Sequence, residues 1–108
     1  MRVLWVTNQP IAHLRKMLNL PIGQSGGWME TSYASLNDAK DITLGIATIY
    51  NGTNLLQESA DGNDFFAIPS KQTIGYYDPN DSYNISQWRR TLEIFQPDII
   101  HLWGTEYA

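Results

Sequence analysis

The sequence contains no cysteine, which excludes both disulfides and thiolate metal sites and suits a reducing compartment. It also lacks long apolar runs. The longest span only a few residues, whereas a membrane-crossing helix needs about 20. The N-terminus does not show the basic start, apolar run and cleavage site of a secretory signal. We therefore expect a soluble protein in the cytoplasm.

Basic residues are few, with 7 Lys and Arg against 11 Asp and Glu and a formal net charge of -4. They form no block, whereas nucleic-acid-binding surfaces usually concentrate Lys and Arg. Nucleic acid is therefore not an expected partner. Hydrophobic residues make up 43% of the 108 positions and include four Trp, which is enough for the core of one domain spanning residues 1–108.

Short apolar runs predict four strands, over residues 3–7, 42–49, 65–68 and 98–103. We expect Pro69 to stop the third of them, because proline cannot donate a ladder hydrogen bond. Residues 54–58 fit either a helical turn or a short strand, and residues 70–83 are rich in turn formers.

Two helices are predicted between these strands. Met29, Tyr33 and Leu36 have helical spacing within residues 28–37. The second helix begins at Asn84, whose side chain forms a capping box with Gln87, and it ends near Phe95, before Pro97. Alternating strands and helices predict an α/β fold, a Rossmann-like open parallel sheet with flanking helices.

Ligands of such sheets bind beyond the carboxyl ends of the strands, where the strand order reverses. Gly26 and Gly27 precede the first predicted helix, where free N–H groups attract phosphate. The alternative is a flexible loop with a glycine helix entry. These glycines do not spell the dinucleotide fingerprint G-x-G-x-x-G.

The last predicted strand places His101 and Trp103 on one face, with Leu102 on the opposite face. A histidine here could act as a base or orient a sugar hydroxyl, and a tryptophan could stack on a sugar ring. The alternative is that both side chains pack in the interior.

Residues 11–20 combine an apolar stripe with a small basic cluster, a pattern typical of contact with a membrane surface or a lipid-linked acceptor. The alternative, which the shortness of the segment favours, is that the apolar side packs on the domain. The apolar residues at helical spacing are Ile11, Leu14 and Leu18, and the basic ones are His13, Arg15 and Lys16.

Three segments together resemble the N-terminal domain of GT-B glycosyltransferases, in particular the large retaining group called glycosyltransferase family 4. They are the opening strand over residues 2–7, the Gly26-Gly27-Trp28 entry to a helix, and residues 96–104, which read QPDIIHLWG. The resemblance covers the whole chain but only the front third of a typical family member.

The resemblance implies a two-domain enzyme that transfers a sugar from a nucleotide donor to a glycan or lipid-linked acceptor, with retention, without a cofactor and without a required metal. It places Gly26 and Gly27 beside the donor phosphates and implies a catalytic His101. The acceptor-side residues that it implies are Trp28, Trp103 and Glu106. Trp103 stands where many relatives have a second His.

The resemblance also implies a C-terminal nucleotide-binding domain, whose carboxylate motif and basic residues are not in this sequence. We therefore expect the chain to be the front part of a longer enzyme and to be inactive alone, because groups around the leaving phosphate supply most of the catalysis. The alternatives are a non-enzymatic α/β interaction module and a nucleotide-dependent oxidoreductase. The oxidoreductase reading explains only the α/β pattern, since Tyr50 and Asn51 stand where an acidic residue would bind ribose.

Overall fold

The structure is a computed structural model, and it describes residues 1–7, 12–19, 35, 41–60, 62–70 and 81–103. Within these residues the chain forms five strands and two helices. The elements are β1 (Arg2–Thr7), α1 (Ala12–Met17), β2 (Thr43–Asn51), β3 (Leu56–Ala60), β4 (Asn63–Ser70), α2 (Ser82–Phe95) and β5 (Ile99–Trp103).

The five strands form one sheet in the order β3-β4-β2-β1-β5. β1, β2, β4 and β5 are mutually parallel, and only β3 runs antiparallel, against β4. The predicted α/β class is confirmed, and the sheet is mostly parallel. The segment that the sequence left open, residues 54–58, supplies the start of the antiparallel edge strand. Gly62, with φ of 79°, lies in the turn that joins β3 to β4.

Both faces of the sheet carry a buried cluster, as the unbroken apolar strands predict. One cluster centres on Trp5, Ile46 and Phe65 and is covered by Leu14 of α1. The other centres on Leu4 and Phe66 and is covered by Phe95 of α2. Helices on opposite faces of a mostly parallel sheet are the doubly wound arrangement.

The start of α2 differs from the prediction. Asp81 caps the helix, because its Oδ1 accepts the backbone N–H of Asn84 at 3.1 Å. Asn84 is instead buried, and its Nδ2 donates to the carbonyl oxygen of Pro69 at 2.9 Å. The predicted end near Phe95 is confirmed. Gln96 follows in a left-handed conformation and donates its N–H to the carbonyl of Leu92.

The prediction that Pro69 stops its strand is wrong. Pro69 is paired with Tyr50 inside the parallel ladder, and β4 continues to Ser70. The pairing of β3 with β4 ends at Ala67, so in the described sheet Pro69 has a neighbouring strand on one side only. The predicted helix over residues 28–37 lies outside the described residues except Ser35, which is helical.

The link from α2 to β5 is held against the first strand. Arg2 N donates to Oδ2 of Asp98 at 2.8 Å, and Asp98 N donates to the carbonyl of Arg2 at 2.7 Å. Arg2 Nε also donates to the carbonyl of Phe95 at 2.6 Å, with its guanidinium 4.2 Å from the Phe95 ring centroid. These contacts set the position of β5 beside β1. Neither described helix has the length and apolarity needed to cross a bilayer.

Candidate functional site

The strand order reverses between β1 and β5. From β1 the chain adds β2 and then β4 on one side, and β5 returns to the other side of β1. In open α/β sheets, ligands bind at such a switch point, in the crevice beyond the carboxyl ends of the two strands. Thr7 is the last residue of β1 and pairs with Trp103, the last residue of β5. The candidate site is therefore the carboxyl edge around Thr7 and Trp103.

An aromatic group lies on one face of the sheet at this edge. The rings of His101 and Trp103 are stacked, with centroids 4.6 Å apart and 14° between their planes. Trp5 of β1 meets Trp103 edge-on at 4.9 Å and His101 at 6.2 Å. The prediction that His101 and Trp103 share a face is confirmed, because they alternate with Leu102 along β5.

These three rings differ in burial. Trp5 is only 1% exposed, Trp103 is partly buried, and His101 is exposed. The alternative of His101 as an interior residue is therefore wrong, because β5 is an edge strand and the imidazole is exposed, although one face of the ring stacks on Trp103. Trp103 holds the imidazole in one orientation by stacking, while the buried Trp5 fixes Trp103 from behind. The result is a preorganised imidazole presented to solvent.

Two threonines border the same edge, and sequence reasoning did not single them out. Thr48 of β2 is buried, and its Oγ1 donates to the carbonyl oxygen of Thr7 at 3.1 Å. Thr7 is only 3% exposed, and its own Oγ1 has no hydrogen-bond partner among the described residues. A buried hydroxyl without a partner is uncommon, because its desolvation is not compensated. Thr7 is thus a buried polar group at this edge whose hydroxyl has no hydrogen-bond partner in the described part of the chain.

The segment with the basic cluster forms α1, which lies over the face that carries Trp5. Leu14 is fully buried, and Met17 and Leu18 pack against the same cluster. These apolar side chains therefore face the sheet, as the packing alternative predicts. Arg15 and Lys16 lie in the last turn of α1.

His13 of α1 does not join the site. Its ring packs on Phe65 with centroids 4.2 Å apart, and its Nε2 lies 3.0 Å from Oε1 of Glu58 on β3. The distance is that of an ion pair when the imidazole is protonated, and the contact lacks hydrogen-bond geometry. His13 therefore ties α1 to the hairpin edge, away from the crevice.

Four predicted site residues lie outside the described part of the chain: Gly26, Gly27, Trp28 and Glu106. The structure therefore brings together two of the predicted residues, His101 and Trp103, and adds Thr7 and Trp5. A signal for Thr7 was present, since it is the polar residue that ends a buried apolar strand. A signal for Trp5 was its position two residues earlier, on the same face.

The site offers an exposed imidazole and a partly buried indole ring, and the buried hydroxyl of Thr7 lies on the strand residue paired with Trp103. Such a set can stack on a flat or ring-shaped ligand, exchange a proton and hydrogen-bond a hydroxyl. Within the described residues, no three His, Asp or Glu side chains are grouped so as to hold a metal ion. That the protein needs neither metal nor cofactor stays a prediction. Comparisons of this chain with protein-family models, curated protein sequences and solved structures gave no match.

Proposed function

We propose that this chain is the acceptor-side, N-terminal part of a retaining GT-B glycosyltransferase. The observation that carries the proposal is the stacked His101–Trp103 pair, held at 4.6 Å at the switch point of a doubly wound sheet. Ligands of such sheets bind at this point. The resemblance of residues 96–104 to the terminal strand motif of that family supports the same assignment.

In this proposal the aromatic pair forms part of the acceptor wall. Sugars expose flat C–H surfaces that pack on indole rings, and the exposed imidazole beside the ring can accept or donate a hydrogen bond to a sugar hydroxyl. Trp103 fixes the direction of the imidazole. Trp103 stands where many members of the family have a second histidine. In this geometry Trp103 positions His101 and does not itself react.

The remaining assignments rest on the family resemblance. Gly26 and Gly27 would lie beside the donor phosphates, and Trp28 and Glu106 would contact the acceptor. The donor nucleotide would be held by a C-terminal domain, which is the proposed partner of this chain. A cytoplasmic location and a glycan or lipid-linked acceptor belong to the same proposal.

The direct test is a transfer assay on a protein that carries this chain together with its C-terminal domain, using radiolabelled nucleotide sugars. We expect His101→Ala to lower kcat/KM by about 100-fold, as general acid–base and orienting groups typically contribute. Leu102→Ala is the matched control, because Leu102 is exposed on the opposite face of the same strand. We expect it to leave kcat/KM unchanged.

Stability measurements separate a chemical role from a structural one. Because His101 is exposed, its replacement by Ala should change the free energy of unfolding by less than about 0.5 kcal/mol. Unchanged transfer rates in His101→Ala would remove the catalytic role. A reading frame without a second Rossmann-like domain would remove the enzyme assignment and favour an α/β binding module.

The chain by itself gives a further check. We expect residues 1–108 to show no turnover and little affinity for nucleotide sugars, because the groups that neutralise the leaving diphosphate lie on the other domain. Calorimetry that finds micromolar donor binding by this chain alone would contradict the assignment of donor binding to the C-terminal domain.

A further inference from the structure

A second concave surface lies at the opposite edge of the sheet. It is a groove of about 220 Å³ between α2 and the start of the β3 hairpin. β3 and β5 are the two edges of a five-stranded sheet, so about 19 Å separate the groove from the aromatic pair at strand spacings of about 4.8 Å. The groove is therefore separate from the crevice at Trp103.

One wall of the groove is a stripe along α2. Tyr83, Gln87, Arg90 and Ile94 line it, and their spacing of three or four residues places them on one helical face. The phenol of Tyr83 closes one end, because its Oη donates to the carbonyl oxygen of Thr53. The wall thus presents one amide and one guanidinium between an aromatic ring and an aliphatic side chain.

The other wall is supplied by Asn54, Leu55 and Gln57. Alternation along β3 sends Gln57 towards α2 and Glu58 towards the opposite face, where Glu58 meets His13 at 3.0 Å. The nearest carboxylate of β3 is therefore turned away from the groove. Among the described residues, no acidic side chain lines the groove.

The charge of this groove differs from that of the protein. The chain carries a formal net charge of -4, yet the described residues that line the groove include one cation, three side-chain amides and no carboxylate. Within the described residues, Arg90 makes no ion pair. A guanidinium and amides that point into one concave surface offer many N–H donors for carboxylate and hydroxyl oxygens.

We propose that this groove binds a single sugar ring that carries a carboxylate, as in a uronic acid. Arg90 pairs with the carboxylate, the amides of Asn54, Gln57 and Gln87 bond the ring hydroxyls, and Tyr83 borders the ring. A volume of about 220 Å³ is below the roughly 300–1,000 Å³ of sites for drug-sized ligands, so it suits one ring rather than a chain. The inference goes beyond the proposed transfer reaction and does not depend on it.

The experiment is a nuclear magnetic resonance titration of the nitrogen-labelled full chain with sodium glucuronate at constant ionic strength. The readout is the side-chain amide signals of Asn54, Gln57 and Gln87, which report on the groove and need no enzymatic activity. We expect these signals to shift and saturate. Glucose and sodium phosphate serve as comparison probes. Each should bind at least about tenfold more weakly than glucuronate, because glucose lacks the carboxylate and phosphate lacks the sugar ring with its hydroxyls.

Adjacent arginines on α2 provide a matched pair of variants. Arg90→Gln should weaken glucuronate binding at least about tenfold, because a charge-assisted hydrogen bond is lost. Arg89→Gln removes the same charge from a side chain that does not line the groove, and it should leave binding unchanged. Both positions are exposed, so both variants should fold.

Four results would overturn the proposal. The first is the absence of amide shifts with glucuronate. The second is equal weakening by Arg89→Gln and Arg90→Gln, which would indicate general charge attraction. The third is phosphate binding as tight as that of glucuronate, which would indicate a simple anion site. The fourth is equally tight binding of glucose, which would leave no role for the carboxylate.

Discussion

Gly45 of β2 lies directly beneath the ring of Phe95 at the end of α2. A Cβ atom at Gly45 would stand 2.7 Å from Cε1 of Phe95 and 2.9 Å from two further ring carbons. Both residues are buried in the described core. The close approach of α2 to the sheet therefore depends on the missing side chain at one position of a central strand.

Gly45→Ala should lower the free energy of unfolding by about 1–3 kcal/mol, because one added methyl group overpacks a filled core. Urea unfolding followed by tryptophan fluorescence measures the change. Phe95→Leu makes room above position 45, so the cost of Gly45→Ala should fall by more than half in that background. Equal costs in both backgrounds would show that the ring does not limit position 45.

Thr7→Val should leave the free energy of unfolding unchanged or raise it by about 1 kcal/mol. The reason is that the Thr7 hydroxyl is buried without a partner among the described residues, so its removal loses no hydrogen bond. Thermal and urea unfolding both test this expectation. The same variant tests whether the Thr7 hydroxyl forms a hydrogen bond with a ligand. If it does, Thr7→Val should weaken ligand binding without lowering the free energy of unfolding.

Thr48→Val is the control for Thr7→Val. Thr48 is equally buried, but its hydroxyl donates to the carbonyl of Thr7 at 3.1 Å. Its loss should cost about 1 kcal/mol. If the two valine variants are destabilised by the same amount, the hydroxyl of Thr7 has a bonding partner within the folded chain.

Asp81→Ala should lower the free energy of unfolding by about 1 kcal/mol, because the first turn of α2 loses the acceptor for the N–H of Asn84. Asp81→Asn should be nearly neutral, since asparagine caps helices about as well as aspartate. Chemical denaturation of the three proteins is the measurement. A neutral Asp81→Ala variant would contradict the assignment of Asp81 as the cap.

Gln96→Gly should stabilise the protein by about 0.5 kcal/mol. Gln96 has φ of 53°, a left-handed conformation that costs a residue with a Cβ atom but not glycine. Glu93→Gly, in the interior of the same helix, should instead cost about 1 kcal/mol. If Gln96→Gly does not raise the free energy of unfolding, the left-handed conformation of Gln96 carries little strain.

The strands were the most predictable part of the fold. The strands predicted over residues 3–7, 42–49 and 98–103 each start within one residue of an observed strand, and only β2 ends later than predicted, by two residues. The end of α2 was equally clear, because Pro97 cannot continue a helix. Local composition was sufficient here because short apolar runs bounded by turn residues favour strands.

The errors fell where a long-range contact overrides a local preference. Asn84 is a good capping residue, but its side-chain amide instead donates a hydrogen bond to the carbonyl oxygen of Pro69 in β4. Asp81 therefore caps the helix. Pro69 itself belongs to the ladder beside Tyr50. The hairpin edge had a local signal in Asp61-Gly62, a pair typical of tight turns, which would have favoured the strand over the helical turn.

The sequence by itself determined the class of the fold and the shared face of His101 and Trp103, because apolar patterning and strand alternation are local properties. Only the tertiary structure decided that β5 returns beside β1, where it leaves His101 exposed and stacked on Trp103. It also decided that Thr7 is buried without a partner among the described residues. Strand order and burial arise from contacts between distant segments, and no local pattern encodes such contacts.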